Sequence, residues 1–326
     1  MLNTETELFQ TEFSIDLNFI QVFCFHCKTV NTVDIIEAEK SYDCHKCDES
    51  STLPIQRFAP SIVISDFVLQ DPIGFGAGGT VFNAQQISTK RHCAVKVLHK
   101  RSDHEEKYLH EQMQKGRGPD KLNHPNILPC LAVGNEDGNY YYAMEYIEGN
   151  SLKKTIGNGW KLSSQLSIDI VTQVIFALDD AWTQEKLIHL DITPDNIILD
   201  SQDNVKLADM GLALSTYAIH SVDDNDIIGN PHYISPEQVM GQSKDIRSDI
   251  YSLGVVFYQL LTGNPTFNGT TIDELCHMQI EEIPEWPSKH DPELPLALCQ
   301  IVMKMLQKHP EDRYQSYSSL LEDLKE

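Results

Sequence analysis

Three things are scarce in this 326-residue chain. It has no apolar run of the roughly 20 residues that a bilayer-spanning helix needs, so no membrane span is expected. Its first stretch, Met1 to Phe23, has no basic leader and no continuous apolar core. Glu5, Glu7, Glu12 and Asp16 interrupt it, which argues against a secretory signal and leads us to expect a cytoplasmic protein. Positive charge is the third shortage: 25 Lys and Arg stand against 48 Asp and Glu, a formal net charge of −23. Acidity on that scale aids solubility. It also repels phosphate backbones and anionic lipid, which excludes nucleic acid and membrane surfaces as expected partners and leaves basic protein segments compatible. No internal repeat recurs, so a solenoid or propeller is not indicated. The 41% hydrophobic content suits globular cores, and the length suits about two domains of about 150 residues.

Cysteine is present in two patterns. Cys93, Cys130, Cys276 and Cys299 are scattered singly among apolar residues, the usual placing of core fillers in a reducing compartment. Cys24-Phe25-His26-Cys27 and Cys44-His45-Lys46-Cys47 instead form two CxxC pairs with sixteen residues between them, the spacing of a four-cysteine zinc ribbon. Four thiolates can hold Zn²⁺ tetrahedrally, and the metal then replaces a core that so short a segment could hardly form. His26 and His45 lie inside the pairs and read as bystanders, and a redox dithiol is the alternative reading. Lys28 and Asp48 follow the second cysteines, where ribbons usually carry glycine. From Cys24 to Gln56, Lys28, Lys40 and Lys46 face Asp34, Glu37, Glu39, Asp43, Asp48 and Glu49, which favours docking on a protein partner or on the next domain over binding nucleic acid.

A composition break follows, between Leu53 and Pro60. After it, Ser61 to Leu69, Val81 to Gln86, His92 to Leu98 and Tyr140 to Tyr146 are short β-branched or aromatic runs separated by turn residues, the pattern of an antiparallel sheet. From Ser163 the period changes. Leu166, Ile170, Val174, Leu178 and Trp182 recur every four residues behind a Ser163 or Ser164 cap and predict a buried amphipathic helix. A second helix is expected from Ser248, stopped by Gly263 and Pro265, and a third around Leu298, Val302, Met305 and Leu306.

Ile73-Gly74-Phe75-Gly76-Ala77-Gly78-Gly79-Thr80-Val81 fits G-x-G-x-x-G-x-V, where absent side chains let phosphate oxygens reach backbone amides. Alone that motif is weak. Fifteen residues beyond Val81, Lys96 ends the apolar strand Cys93-Ala94-Val95 and needs counter-anions, which ATP phosphates and a helix glutamate would supply. His189-Leu190-Asp191-Ile192-Thr193-Pro194-Asp195-Asn196 follows the first long helix, and Asp209-Met210-Gly211 follows Val205-Lys206-Leu207. Together they offer one aspartate to accept a hydroxyl proton, and an asparagine and a second aspartate to hold magnesium.

In this order the chain resembles the protein kinase superfamily, in particular the eukaryotic-like (Hanks-type) Ser/Thr kinases of bacteria, from Phe67 to the end. Beyond the glycine loop, Lys96, Asp191 with Asn196, and Asp209, the matching pieces are the hinge Met144-Glu145-Tyr146, Ser235-Pro236-Glu237, Arg247-Ser248-Asp249 and Arg313. The resemblance implies an α+β, bilobal fold: a small β-rich lobe over 67–147 and a large helical lobe over 148–326. An N-terminal extension (1–19), the zinc ribbon (20–56) and a linker (57–66) precede it. It also implies ATP- and Mg²⁺-dependent, in-line phosphorylation of Ser/Thr hydroxyls in protein substrates. Lys96 would hold the α/β-phosphates, Asn196 and Asp209 the Mg²⁺, and Asp191 would be the base. The backbone of Glu145 to Ile147 would hold adenine, with Ile73, Gly74, Gly76, Gly79, Val81, Ala94 and Met144 around the nucleotide. Glu111 is favoured as the helix partner of Lys96, with Glu105 and Glu106 as the other candidates. Glu237 with Arg313, and Asp249, would be structural.

The chain departs from the family pattern in places. Leu190 stands where an arginine commonly pairs with an activation-loop phosphate, which implies activation without such phosphorylation. Thr193 replaces a lysine near the transferring phosphoryl group, and Asn230 a threonine that braces it. Losing one preorganised donor to developing charge costs about 2.7–4 kcal/mol in oxyanion sites, and the two changes could compensate each other. Met210 for phenylalanine keeps an apolar contact, and Asp195 argues against tyrosine specificity. The rival reading is a pseudokinase, a nucleotide-binding scaffold or interaction protein.

Overall fold

The computed structural model describes residues 19–23, 30–34, 42–43, 50–51, 63–76, 79–98, 122–136, 139–157, 159, 161–210 and 230–325. The four clustered cysteines, Glu105, Glu106 and Glu111 lie outside these residues. At the front, β1 (Phe19–Phe23) pairs antiparallel with β2 (Val30–Asp34), and β3 (Tyr42–Asp43) with β4 (Ser50–Ser51).

The apolar runs that follow build a six-stranded antiparallel sheet. Its strands are β5 (Val63–Ile64), β6 (Phe67–Gly76), β7 (Gly79–Gln86), β8 (His92–Leu98), β9 (Cys130–Glu136) and β10 (Asn139–Glu145), in the order β5-β6-β7-β8-β10-β9. The two-residue period of a strand sorts its side chains between two apolar layers. Phe67, Leu69, Phe82, Ala84, Cys93, Val95, Val97, Tyr141 and Ala143 form one cluster. Ala94, Tyr142 and Met144 form another, joined by Leu128 and by Ala208 from the helical half of the chain.

Two expectations about this sheet need correction. Ser61 to Leu69 is not one strand, because the chain turns at Ser65, whose φ is 53°, and Ile64 pairs back on Phe67. The Asp66 carboxylate secures this turn by accepting from Gln86 Nε2 and Ser88 N, each at 2.9 Å. The edge strand β9 was not anticipated. Its residues are half-buried or exposed throughout, so no alternation marks it in the sequence.

The second half is mainly helical: α1 (Leu152–Thr155), α2 (Ser164–Glu185), α3 (Pro236–Val239), α4 (Ile246–Thr262), α5 (Ile272–Glu281), α6 (Pro287–His290), α7 (Leu296–Met305) and α8 (Tyr317–Asp323). The Ser163 hydroxyl caps α2 by accepting from Leu166 N at 3.3 Å, and Ile170, Val174 and Leu178 are buried as their spacing predicts. Helix α4 starts two residues before Ser248 because the Asp245 side chain takes the Arg247 N–H at 2.9 Å. It stops at Gly263, where φ is 72° and a Cβ would come within 2.7 Å of Gly159 O. Nearly every residue of α4 from Ser248 to Leu261 is buried, and α2, α7 and α8 pack around it. At roughly 1.5–3 kcal/mol per large buried apolar side chain, this shared core is what holds the lobe together.

A small sheet, β11 (Gly149–Ser151), β12 (Ile197–Asp200) and β13 (Val205–Leu207), joins the halves. Its β12–β13 ladder pairs Ile197 with Leu207 and continues as Ala208 N donating to Asn196 O at 2.8 Å. The residues just before β12 and just after β13 are thereby brought side by side. Among the described residues no helix is long and apolar enough to cross a membrane.

Candidate active site

Strand alternation decides where Lys96 goes. Cys93, Val95 and Val97 of β8 point into the outer apolar cluster, so Ala94 and Lys96 point the other way, toward the helical lobe. The ammonium there pairs with Asp209, just after β13, with both side chains mostly buried. Desolvation makes such a charge costly alone and tolerable when paired. The neighbouring cluster of Ala94, Leu128, Tyr142, Met144 and Ala208, flanked by Val81, Ile147 and Ile198, gives the cleft an apolar roof and floor. Val81, Ala94, Met144 and Ile147 therefore lie together in this cluster, whereas Ile73 stays outside it and is 50% exposed. Leu128, Tyr142, Ala208 and Ile198 were not anticipated, although Ala208 beside Asp209, and Ile198 two residues after Asn196, could have been found from strand register. The Glu145 side chain turns to Arg91, at 3.1 Å, and its N–H donates to Pro129 O at 3.0 Å.

Of the glycines in the loop, Gly79 has a steric reason to be glycine: a Cβ there would lie 2.4 Å from Val97 O. A Cβ at Gly74 would make an ordinary 3.6 Å contact with Val81.

The loop before β12 carries Asp191. Asn196 Nδ2 donates to Asp191 Oδ2 at 2.9 Å and to Asp191 O at 2.8 Å, which fixes the carboxylate and leaves Asn196 Oδ1 as an uncommitted hard oxygen among the described residues. The Asp209 oxygen not bonded to Lys96 is a second one. Carboxylate and amide oxygens of this kind suit Mg²⁺ rather than softer metals.

Two residues of this region, Leu190 (φ 64°) and Asp209 (φ 60°), hold left-handed backbone conformations that cost an L residue about 1–2 kcal/mol. At Leu190 the surroundings impose it. Asp249 of α4 accepts from His189 N at 2.8 Å and Leu190 N at 2.7 Å, and Gln238 Nε2 donates to Leu190 O at 2.9 Å. The His189 ring bonds Ala208 O at 2.9 Å, tying this loop to the residue before Asp209. Complete burial pushes the Asp249 carboxyl above its ordinary value, with His189 and the two amide bonds working against that shift. The Leu190 side chain packs on Ile188 beside Trp182 and Ile246, so an apolar pocket occupies the place the family gives to arginine.

Asp191, Thr193, Asn230 and Tyr233 line one narrow crevice. Behind it, Glu237 and Arg313 form a fully buried ion pair with two contacts of 2.8 Å.

Comparison with known proteins defines the class. The family described as protein kinase domain matches residues 67–323, and the chain belongs to that family. It is 31% identical over 253 residues to the serine/threonine-protein kinase PrkC of Bacillus subtilis, covering 78% of this chain and 39% of that one. It is 33% identical over 263 residues to the serine/threonine-protein kinase PknB of Mycobacterium leprae, covering 79% and 42%. The chain thus spans about two-fifths of the length of these curated relatives. In structure it is similar to the kinase domain of PknI from Mycobacterium tuberculosis, with a TM-score of 0.66 at 25% identity, over 82% of this chain and 98% of that one. The expected bilobal kinase fold is therefore present.

Proposed function

We propose that the chain is a working Ser/Thr protein kinase that transfers the γ-phosphoryl group of ATP-Mg²⁺ to a hydroxyl of a protein substrate. One observation carries the reading: Lys96 from the small lobe pairs with Asp209 from the large lobe, beside an asparagine-braced Asp191. Lys96 would leave Asp209 for the α/β-phosphates, and Asn196 Oδ1 and Asp209 would hold magnesium. When bound, the metal supplies charge neutralisation on the phosphate oxygens. The adenine would lie between Val81, Ala94, Met144 and Ile198, against the backbone of Glu145 to Ile147. Asp191 would orient the acceptor hydroxyl and take its proton. The pseudokinase reading is disfavoured because Lys96, Asp191, Asn196 and Asp209 are all present, with Lys96 paired to Asp209 and Asn196 bonded to Asp191. The net charge of −23 favours basic substrate segments. Incubation with labelled ATP-Mg²⁺ and basic acceptor proteins, followed by mass-spectrometric site mapping, should find phosphoserine or phosphothreonine. Phosphotyrosine alone, or no label, would contradict the reading.

The segment 20–56 reads as a zinc ribbon that docks a protein partner or the small lobe. What supports it is that each CxxC pair falls in the sequence linking two antiparallel-paired strands, Cys24 and Cys27 between β1 and β2, Cys44 and Cys47 between β3 and β4. Elemental analysis of reduced, unchelated protein should find about one zinc per chain, since four thiolates make one closed site. None would refute the ribbon.

A further inference from the structure

The crevice beside Asp191 holds uncharged polar side chains in unequal positions. Thr193 and Ser252 are buried, at 4% and 2% exposure, whereas Asn230 is only partly buried. Tyr233 is committed, its hydroxyl donating to Gln259 Oε1 at 2.6 Å. Asn230 opens a turn: its backbone O accepts from Tyr233 N at 2.9 Å and its Oδ1 from His232 N at 3.1 Å. A backbone N–H can only donate, so the side-chain atom it meets is the amide oxygen, which settles which end of Asn230 is which. Both N–H groups of Nδ2 are left without a partner among the described residues, in a crevice whose other functional wall is Asp191.

We propose that Asn230 is a catalytic donor of the phosphoryl transfer, its Nδ2 hydrogen-bonding an equatorial oxygen of the transferring group beside Asp191. The role rests on the kinase reading above. In that step the acceptor oxygen bonds phosphorus, the bond from phosphorus to the ADP oxygen breaks, and the hydroxyl proton passes to Asp191. Asn230 exchanges no proton. Asp191 and the phosphoryl oxygens are all acceptors, so charge developing between them calls for a preorganised donor. Thr193 has no cation to offer and is buried as a residue, while the Asn230 amide is held by its own turn with its Nδ2 donors unpartnered among the described residues. The departure at Asn230 thus answers the departure at Thr193.

Asn230→Asp tests this directly, because Oδ1 can still accept from His232 N while Nδ2 becomes an oxygen. The expected result is a fall in kcat of about 10²–10³-fold, the loss typical of one oxyanion donor. KM for ATP-Mg²⁺ should stay within roughly threefold, since the contact forms with the transition state. The melting temperature should be unchanged. Should the aspartate variant melt early, Asn230→Ser keeps a side-chain acceptor for the turn without the amide, and its kcat should fall by about 10-fold or more. Thr193→Val, in the same crevice, should lower kcat by no more than about threefold if its hydroxyl donates nothing to the transition state. Full kcat in both Asn230 variants, or an equal loss in Thr193→Val, overturns the assignment while leaving an active wild-type kinase. A wild type that binds ATP-Mg²⁺ without turnover overturns the kinase reading itself, and this role with it.

Discussion

Arg313→Lys puts a number on the pair that anchors the large lobe. The Arg313 guanidinium uses all five N–H groups. Nη1 and Nη2 each donate to Glu237 at 2.8 Å; Nη1 also donates to Arg247 O at 2.8 Å, Nη2 to Lys308 O at 2.9 Å and Nε to Gln307 O at 2.7 Å. The side chains of Arg313 and Glu237 are 0% and 3% exposed, so water cannot replace a lost donor. Lysine keeps the charge but has three N–H groups, and two or more acceptors would be left bare. At about 1–3 kcal/mol for each unpaired buried acceptor, the loss is roughly 2–6 kcal/mol. That range brackets the ~3–5 kcal/mol typical of breaking a buried pair. With about 2–4 °C per kcal/mol in a domain of this size, melting should fall by roughly 4–24 °C. Calorimetry and urea titration of both proteins measure it. A loss below about 1 kcal/mol would refute the argument that the planar fork is required.

The same pair sets an acid limit. Burial pushes the Glu237 carboxyl up, but the hydrogen bond and charge of Arg313, with the Ser248 hydroxyl, outweigh it and hold the pKa below its ordinary 4.5. With the folded value below the unfolded one, the pair's contribution is present above about pH 4.5 and is lost as pH falls through the folded value.

Two further outcomes follow from the cleft. ATP-Mg²⁺ should raise the melting temperature of the wild type by mass action, and Asp209→Asn should remove most of the magnesium-dependent part; an undiminished magnesium effect would show that Asp209 does not hold the metal. Because Leu190 sits in an apolar pocket and offers a phosphate no charge, alanine at Ser215, Thr216, Tyr217 and Ser221 together should leave turnover within about threefold. Collapse of activity in that variant would place phospho-control on another basic group.

Much of this was legible in the sequence because the chemistry is local in it. Lys96 announces itself as a charge at the end of an apolar strand, and Asp191 and Asn196 lie within one loop. The helices around Leu166 to Trp182 and Ile250 to Leu261 follow a 3.6-residue period that burial enforces. What escaped is what depends on pairing across the fold. Strand β9 is an edge without alternation, and Ser65 breaks a run that is apolar on both sides of it. The alliance of Asp249, Gln238 and the Leu190 backbone joins residues far apart in sequence, so no local pattern reveals it. The same holds for Leu128, Tyr142 and Ala208 in the cleft, whose apolar character is unremarkable until the two lobes meet.

The account's central claim is that Asp191 acts on the acceptor hydroxyl while Lys96, the glycine loop and magnesium hold the nucleotide. The most direct test is steady-state phosphotransfer by Asp191→Asn, with ATP-Mg²⁺ affinity measured on the same protein. We predict that kcat and kcat/KM fall together, by at least the roughly 10²–10⁴-fold that a positioned base contributes, while ATP affinity stays within about twofold. Residual phosphorylation equal to that of the wild type would contradict the claim.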